Sequence, residues 1–148
     1  MYENWPANFA VVAATIAAVT LSVLVHYEGL LTLSRRLARP GGTRRVKVLY
    51  AIFGAVCLHV TEIWIFGLAY WGLLQWPDCG QLGVEPVTHL FDAVYFSATT
   101  YSTLGYGDIA PLGPIRFLAG TESLIGLVLI TWSASFTYLE MEKFWRGS

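Results

Sequence analysis

The residues of this chain whose types and spacing could bind an ion form one run, Thr99 to Asp108, which reads Thr-Thr-Tyr-Ser-Thr-Leu-Gly-Tyr-Gly-Asp. Within it, Gly105 and Gly107 alternate with bulkier residues, directly after a segment with helical spacing. Glycine adopts left-handed φ values without a steric penalty, so such a backbone can point successive carbonyl oxygens the same way. Four strands of this kind around one axis would replace the water shell of a dehydrated monovalent cation with rings of carbonyl oxygens.

The run resembles the selectivity-filter signature of potassium channels, Thr-Val-Gly-Tyr-Gly, with leucine in place of the valine. The resemblance implies that backbone carbonyls and one threonine hydroxyl bind K⁺, and that four copies of the chain form a homotetramer. The implied K⁺ ligands are Thr103, Leu104, Gly105 and Tyr106, and Gly107 completes the filter. The alternative interpretation is a glycine-rich turn after a helix, which the length of the run in a membrane chain disfavours.

Four residues are predicted to support the filter, three at the ends of the run and one on the preceding helix. Asp108 resembles the acidic ring outside the filter of the family, where it would attract cations, or it holds the filter by hydrogen bonds; both roles stay open. Relatives often brace the filter with tryptophans, and here Tyr95, beside Phe96, is the residue with a polar group at that place. Thr99 stands where some relatives carry a carboxylate, and Thr100 follows it.

Composition indicates a membrane protein. Of 148 residues, 55 % are hydrophobic and 13 % are charged, whereas about a quarter of a soluble domain is charged. The formal net charge is −1 and the acidic residues are scattered, so no nucleic-acid partner is expected. The two cysteines show no metal-ligand or disulfide pattern. We therefore expect one compact membrane domain whose partner is the lipid bilayer.

Three apolar segments are long enough to cross about 30 Å of hydrocarbon, at residues 7–33, 46–75 and 114–142. A fourth helical segment, residues 88–102 with Thr88 as its N-cap, is too short to cross and immediately precedes the filter. Non-helical backbone survives at membrane depth only when protein buries it or when it lines water. The predicted fold is therefore an all-α membrane protein with three transmembrane helices, a re-entrant pore helix and a filter loop, assembled as a tetramer.

The basic residues indicate the topology. Six of the nine lie in a predicted loop from Ser34 to Lys47, namely Arg35, Arg36, Arg39, Arg44, Arg45 and Lys47, and the positive-inside rule places them in the cytoplasm. In channels of this family the filter loop enters the membrane from the outside. This also places the basic loop in the cytoplasm. We expect a multi-pass protein of the cell (inner) membrane with its N-terminus outside and its C-terminus cytoplasmic. Residues 1–45 form an extra helix with the basic loop, and residues 46–148 form the pore domain of outer helix, pore helix, filter and inner helix.

Further expectations concern packing outside the filter. Tyr70, Trp71 and Trp76 suit the outer membrane interface, and the loop 76–87 should be irregular and exposed. Small residues at helical spacing in the first helix should allow close approach of the second helix; they are Ala10, Ala13, Ala14, Ala17 and Ala18.

The last helix is predicted to line the pore. Gly126 interrupts it where related channels often carry a hinge glycine, and close packing is an equal alternative. Glu122 resembles an acidic position common in related inner helices and should pack behind the filter. The stripe expected to face the cavity is Leu127, Ile130, Ala134 and Tyr138, with Tyr138 at the narrowest point.

Three ionisable residues lie inside the predicted spans, His26, His59 and Glu62. Intramembrane ionisable groups are functional candidates by default. His26 and His59 lie at comparable depth and Glu62 is one turn from His59, so the three are expected to meet. They form either a pH-sensitive cluster or a hydrogen-bonded pair that locks two helices together. Their spacing differs from the His-Glu-x-x-His of zinc proteases, so no enzyme is predicted.

The resulting functional hypothesis is a K⁺-selective channel that passes K⁺ passively and needs no organic cofactor. No helix carries the arginines that voltage sensing requires. The alternatives are a less selective monovalent cation channel, because Leu104 and Ser102 vary the signature, and a non-conducting accessory membrane subunit.

Overall fold

The computed structural model describes residues 4–41, 43–84, 87 and 89–146, and the side chains as far as residue 143. It contains four helices, α1 (Trp5–Leu37), α2 (Arg44–Leu74), α3 (Leu90–Tyr101) and α4 (Arg116–Arg146). The first two and residues Arg116–Lys143 of the last are long and apolar enough to cross a membrane. The 12 residues of α3 are too few to cross. The predicted all-α membrane fold is confirmed.

The basic segment is shorter as a loop than the sequence predicts. Fewer residues separate the two helices than predicted, because α1 continues to Leu37 and α2 begins at Arg44. Thr43 caps α2 by accepting a hydrogen bond from the Val46 amide at 3.5 Å. Lys47 Nζ donates to the carbonyls of Leu37 and Arg39, at 2.9 Å each, where α1 ends and its carbonyls lack helical partners.

The segment between α2 and α3 contains a short strand and buried residues, so the prediction of an irregular, exposed segment is wrong for this part. Its strand β1 (Gln81–Leu82) pairs antiparallel with β2 (Pro111–Leu112), which follows the filter. Cys79 and Leu82 are fully buried, and both cysteines of the chain are free. Two-residue strands are too short for a periodic pattern in sequence. The pairing joins the segment before the pore helix to the segment after the filter.

Glycines, more than alanines, bring α1 close to α2. A Cβ on Gly29 would overlap the Leu58 side chain, and one on Gly54 would overlap the Leu33 side chain. Ala18 is buried in the core, but Ala13 and Ala17 are exposed, so the predicted alanine stripe is only partly an interface. The buried stripe of α1 is instead Ala7, Val11, Thr15, Ala18, Ser22, His26, Leu30, Leu33 and Leu37.

Helix α3 packs between α2 and α4. Gly67 of α2 lies directly against Val94 of α3, where a Cβ would crowd the Val94 backbone. Thr88, the predicted N-cap, lies outside the described residues; His89 occupies the cap position and makes no side-chain capping bond. The helix is held by packing and by the polar contacts of its far end, which leads into the filter.

Candidate ion-conducting site

The filter backbone alternates in conformation. Thr103, Gly105 and Gly107 have φ values of +58°, +52° and +83°, and the residues between them, Leu104 and Tyr106, do not have positive φ. Alternation of this kind aims successive carbonyls toward one side, as the two glycines predict. The sequence does not indicate the left-handed conformation at Thr103, because a β-branched residue rarely adopts it. Strain of this kind clusters at functional sites.

The end of α3 holds the start of the filter through backbone groups. The Gly105 amide donates to the Thr99 carbonyl at 3.0 Å, and the Thr103 amide donates to the Thr100 carbonyl at 3.0 Å. Ser123 Oγ of α4 lies 3.3 Å from the same Thr100 carbonyl and 3.1 Å from the Ala119 carbonyl of its own helix, so its one proton is shared between them. Thr99 and Thr100 thus contact the filter through their carbonyls, since the Thr99 hydroxyl donates back to Phe96.

Tyr95 contacts the C-terminal end of the predicted filter. Its hydroxyl donates to Asp108 Oδ2 at 2.8 Å. The pKa of Tyr95 is raised because the hydrogen bond to the Asp108 carboxylate favours the protonated phenol. The filter tyrosine, Tyr106, is 68 % exposed in the single chain. Tyr95, at the place where relatives carry a bracing tryptophan, therefore contacts Asp108.

If the predicted filter selects K⁺, replacing Tyr95 with phenylalanine should lower the K⁺/Na⁺ permeability ratio by only about threefold, because an exposed hydrogen bond contributes little against water. Reversal potentials in liposomes measure the ratio. Tyr50→Phe is the matched control, since it removes an exposed tyrosine hydroxyl that bonds Arg36 at 2.9 Å, far from the filter. An unchanged ratio in Tyr95→Phe would show that the Asp108 contact does not support the filter.

A buried carboxylate network lies behind the pore helix. Tyr70 donates to Glu122 Oε2 at 2.6 Å, and Ser97 Oγ lies 2.5 Å from Glu122 Oε1 and 2.9 Å from the Ile63 carbonyl. Tyr70 also packs edge-to-face on Phe96 at 5.0 Å. The prediction that Tyr70 lies at the outer interface is wrong, because its ring and hydroxyl are fully buried. Glu122 joins α2, α3 and α4 at this network.

Gly126 is a site of close approach. A Cβ at this position would overlap the carbonyl oxygen of Tyr101, the last residue of α3. The inner helix therefore touches the end of the pore helix backbone to backbone. The stripe predicted to line the cavity, Leu127, Ile130, Ala134 and Tyr138, is exposed in the single chain.

The structure brings His26, His59 and Glu62 together. His26 Nδ1 lies 2.8 Å from Glu62 Oε1, and His59 Nδ1 lies 3.1 Å from Glu62 Oε2. Tyr101 also donates to Glu62 Oε2, and its hydroxyl lies 2.9 Å from His59 Nδ1. The ligand atoms of the two histidines and the glutamate all lie within 4.8 Å of one another, a spacing that suits a metal ion. Here the same atoms hydrogen-bond one another.

Sequence reasoning did not find the partners on the pore helix. Ala93, Ser97 and Tyr101 are buried at four-residue spacing, so they share one face of α3. Two of them carry hydroxyls, and each hydroxyl contacts a buried glutamate. Polar groups at helical spacing in an apolar segment are the available signal.

Three spanning helices, a short helix that does not span, and a loop of alternating backbone directly after it are the parts of a pore-loop channel subunit. Residues 45–142, most of the chain, match the family model described as "Ion channel". The chain therefore belongs to this ion channel family, and it is a multi-pass membrane channel protein.

Curated relatives include potassium channels. A voltage-gated potassium channel of Aeropyrum pernix is 30 % identical over 90 residues, which cover 61 % of this chain and 26 % of the relative. The inward rectifier potassium channel Kirbac3.1 of Paramagnetospirillum magnetotacticum is 30 % identical over 120 residues, 80 % of this chain and 34 % of the relative. The chain thus spans about a quarter and about a third of the lengths of these two proteins.

A smaller relative is matched over most of its length. Protein LctB of Geobacillus stearothermophilus is 26 % identical over 116 residues, which cover 78 % of this chain and 87 % of LctB. No solved structure matches the chain significantly. The family match begins after α1, so the first helix lies outside it.

Proposed function

We propose that the chain forms a homotetrameric, K⁺-selective channel that passes K⁺ passively across the cell (inner) membrane. The observation that carries the proposal is the alternating φ at residues 103, 105 and 107 in a Thr-Leu-Gly-Tyr-Gly run. Carbonyls of Thr103, Leu104, Gly105 and Tyr106 would be the K⁺ ligands, and no organic cofactor is needed. Residues 46–148 would form the pore domain.

Four-fold assembly follows from the chemistry of the filter, because one strand supplies one oxygen to each ring and four strands are needed. The surface beside the filter supports it. An open groove of about 440 Å³ lies between the filter and α4, lined by groups such as Thr103, Gly105 and Ala119. Large apolar residues of α4 are exposed in the single chain, including Leu124 and Tyr138. Neighbouring subunits and lipid would cover them.

The orientation rests on charge. Arg35, Arg36 and Arg39 lie at the end of α1 or just after it, and Arg44 and Arg45 begin α2. The positive-inside rule would place this end in the cytoplasm, with the N-terminus outside and the C-terminus cytoplasmic. The C-terminal end of α3 would then point toward the cavity, where its partial negative charge favours a cation.

Purified protein in liposomes should give a reversal potential close to the K⁺ equilibrium potential under a K⁺/Na⁺ gradient. Native mass spectrometry of the same sample should give the mass of four chains. A reversal potential near zero would indicate the less selective cation channel, and a tetramer without flux would indicate the accessory subunit. A monomeric or dimeric conducting species would contradict the proposal, since each chain carries one filter run.

A further inference from the structure

We infer that His26 is a positioning residue for the selectivity filter, which makes the first helix a working part of the pore. The inference rests on the proposed function, because it concerns the same filter. This role would give a function to α1, which the family match does not include because that match begins at residue 45. The link runs from His26 through Glu62 to Tyr101.

Each step of the link is a direct side-chain contact. His26 of α1 reaches Glu62 of α2 at 2.8 Å, and both side chains are fully buried. Glu62 accepts a hydrogen bond from the hydroxyl of Tyr101. Tyr101 is the last residue of α3 and is fully buried. Thr103, the first proposed K⁺ ligand, follows two residues later with φ +58°. One side chain of α1 is therefore two contacts away from the start of the filter.

The hydrogen-bond pattern makes Glu62 dependent on its donors. An ionised carboxylate only accepts, so His26, His59 and Tyr101 must all donate to it. This places the His26 proton on Nδ1 and leaves Nε2 to accept from Ser133, 3.4 Å away on α4. Removing a donor to a buried charge leaves that charge poorly satisfied, which is costly in a low dielectric. Glu62 would then shift toward its remaining donors and move Tyr101.

His26 also contacts α4, the helix that packs against the end of α3. The centroids of the His26 and Trp132 rings lie 5.2 Å apart. Tyr101 in turn presents its backbone carbonyl to Gly126 of α4. The end of the pore helix is thus held by Glu62 on one side and by α4 on the other, and His26 contacts both.

The experiment compares four single variants, and the double variant His26→Leu/Tyr101→Phe, in liposomes. His26→Leu removes the donor, and His26→Asn restores a donor near the Nδ1 position. Tyr101→Phe removes only the hydroxyl and keeps the ring. Ser22→Ala is the matched control, because Ser22 lies on the same buried face of α1, one turn away, and its hydroxyl has no hydrogen-bond partner among the described residues. The readouts are the K⁺/Na⁺ permeability ratio and the tetramer fraction.

His26→Leu and Tyr101→Phe should each lower the ratio about tenfold with the tetramer fraction unchanged, as loss of a hydrogen bond to a charged group predicts. The double variant should be no worse than the worse single variant, because both act through Glu62. His26→Asn should recover the ratio to within about threefold of wild type, and Ser22→Ala should match wild type. If His26→Leu fails to assemble, Tyr101→Phe and His26→Asn decide the question.

A selective wild type with an unchanged ratio in Tyr101→Phe and His26→Leu would overturn the inference. So would additive effects in the double variant, or failure of His26→Asn to recover the ratio. Elemental analysis of the purified tetramer adds a further arm: one transition-metal ion per subunit, with chelation reproducing His26→Leu, would replace the hydrogen-bond link by a metal centre. A non-selective wild type would instead refute the proposed function itself.

Discussion

Gly105→Ala is expected to abolish selective K⁺ conduction, at least a hundredfold, while leaving the tetramer assembled. Gly105 has φ +52°, and a left-handed conformation costs a residue with a Cβ about 1–2 kcal/mol. In the proposed tetramer the filter would contain this residue four times, so the cost would be about 4–8 kcal/mol for the ring. Nothing within the single chain lies within 4 Å of the added Cβ, so the conformational cost arises without any clash inside the subunit. Flux under a K⁺/Na⁺ gradient measures the effect.

The chain offers a matched control in Gly41→Ala. Gly41 also has a positive φ, +111°, and nothing lies within 4 Å of an added Cβ. It lies in the loop between α1 and α2, so the same kind of backbone strain arises far from the filter. We expect Gly41→Ala to stay selective. Selective flux in Gly105→Ala would refute the filter assignment, whatever the control shows.

Gly126→Ala is expected to destabilise the tetramer and to reduce conduction at least tenfold. The added methyl group would overlap the Tyr101 carbonyl oxygen, a backbone atom that cannot rotate away. Helix α4 must therefore move away from the end of the pore helix, and overpacking of this kind costs about 1–3 kcal/mol per subunit. Thermal dissociation of the tetramer and K⁺ flux are the two measurements.

Gly72→Ala in α2 is the control, because it is a helical glycine with nothing within 4 Å of the added Cβ. It should be neutral or stabilising by up to about 1 kcal/mol through helix propensity. These two measurements distinguish the two interpretations of Gly126, close packing and a hinge. Close packing lowers the dissociation temperature, whereas a hinge would lower the open probability and leave that temperature unchanged.

The sequence alone determined the parts of this protein that depend on local composition. Long apolar segments indicate the spanning helices, since length and hydropathy suffice to recognise them. The filter run was recognisable because alternating glycines have a direct backbone meaning, which Gly105 and Gly107 show with positive φ. Helix ends were less accurate at the basic segment, where Thr43 and Lys47 extend regular structure into the expected loop.

Only the tertiary structure decided which side chains meet inside the membrane. A helix that is apolar on all sides carries no pattern that tells its inner face from its lipid face, so its rotation is undetermined from sequence. That rotation buries Tyr70 on Glu122 instead of leaving it at the interface, and it exposes Ala13 and Ala17. Equal depth allowed His26 and His59 to meet, but the contact of Glu62 with Tyr101 depends on how α1, α2 and α3 pack together.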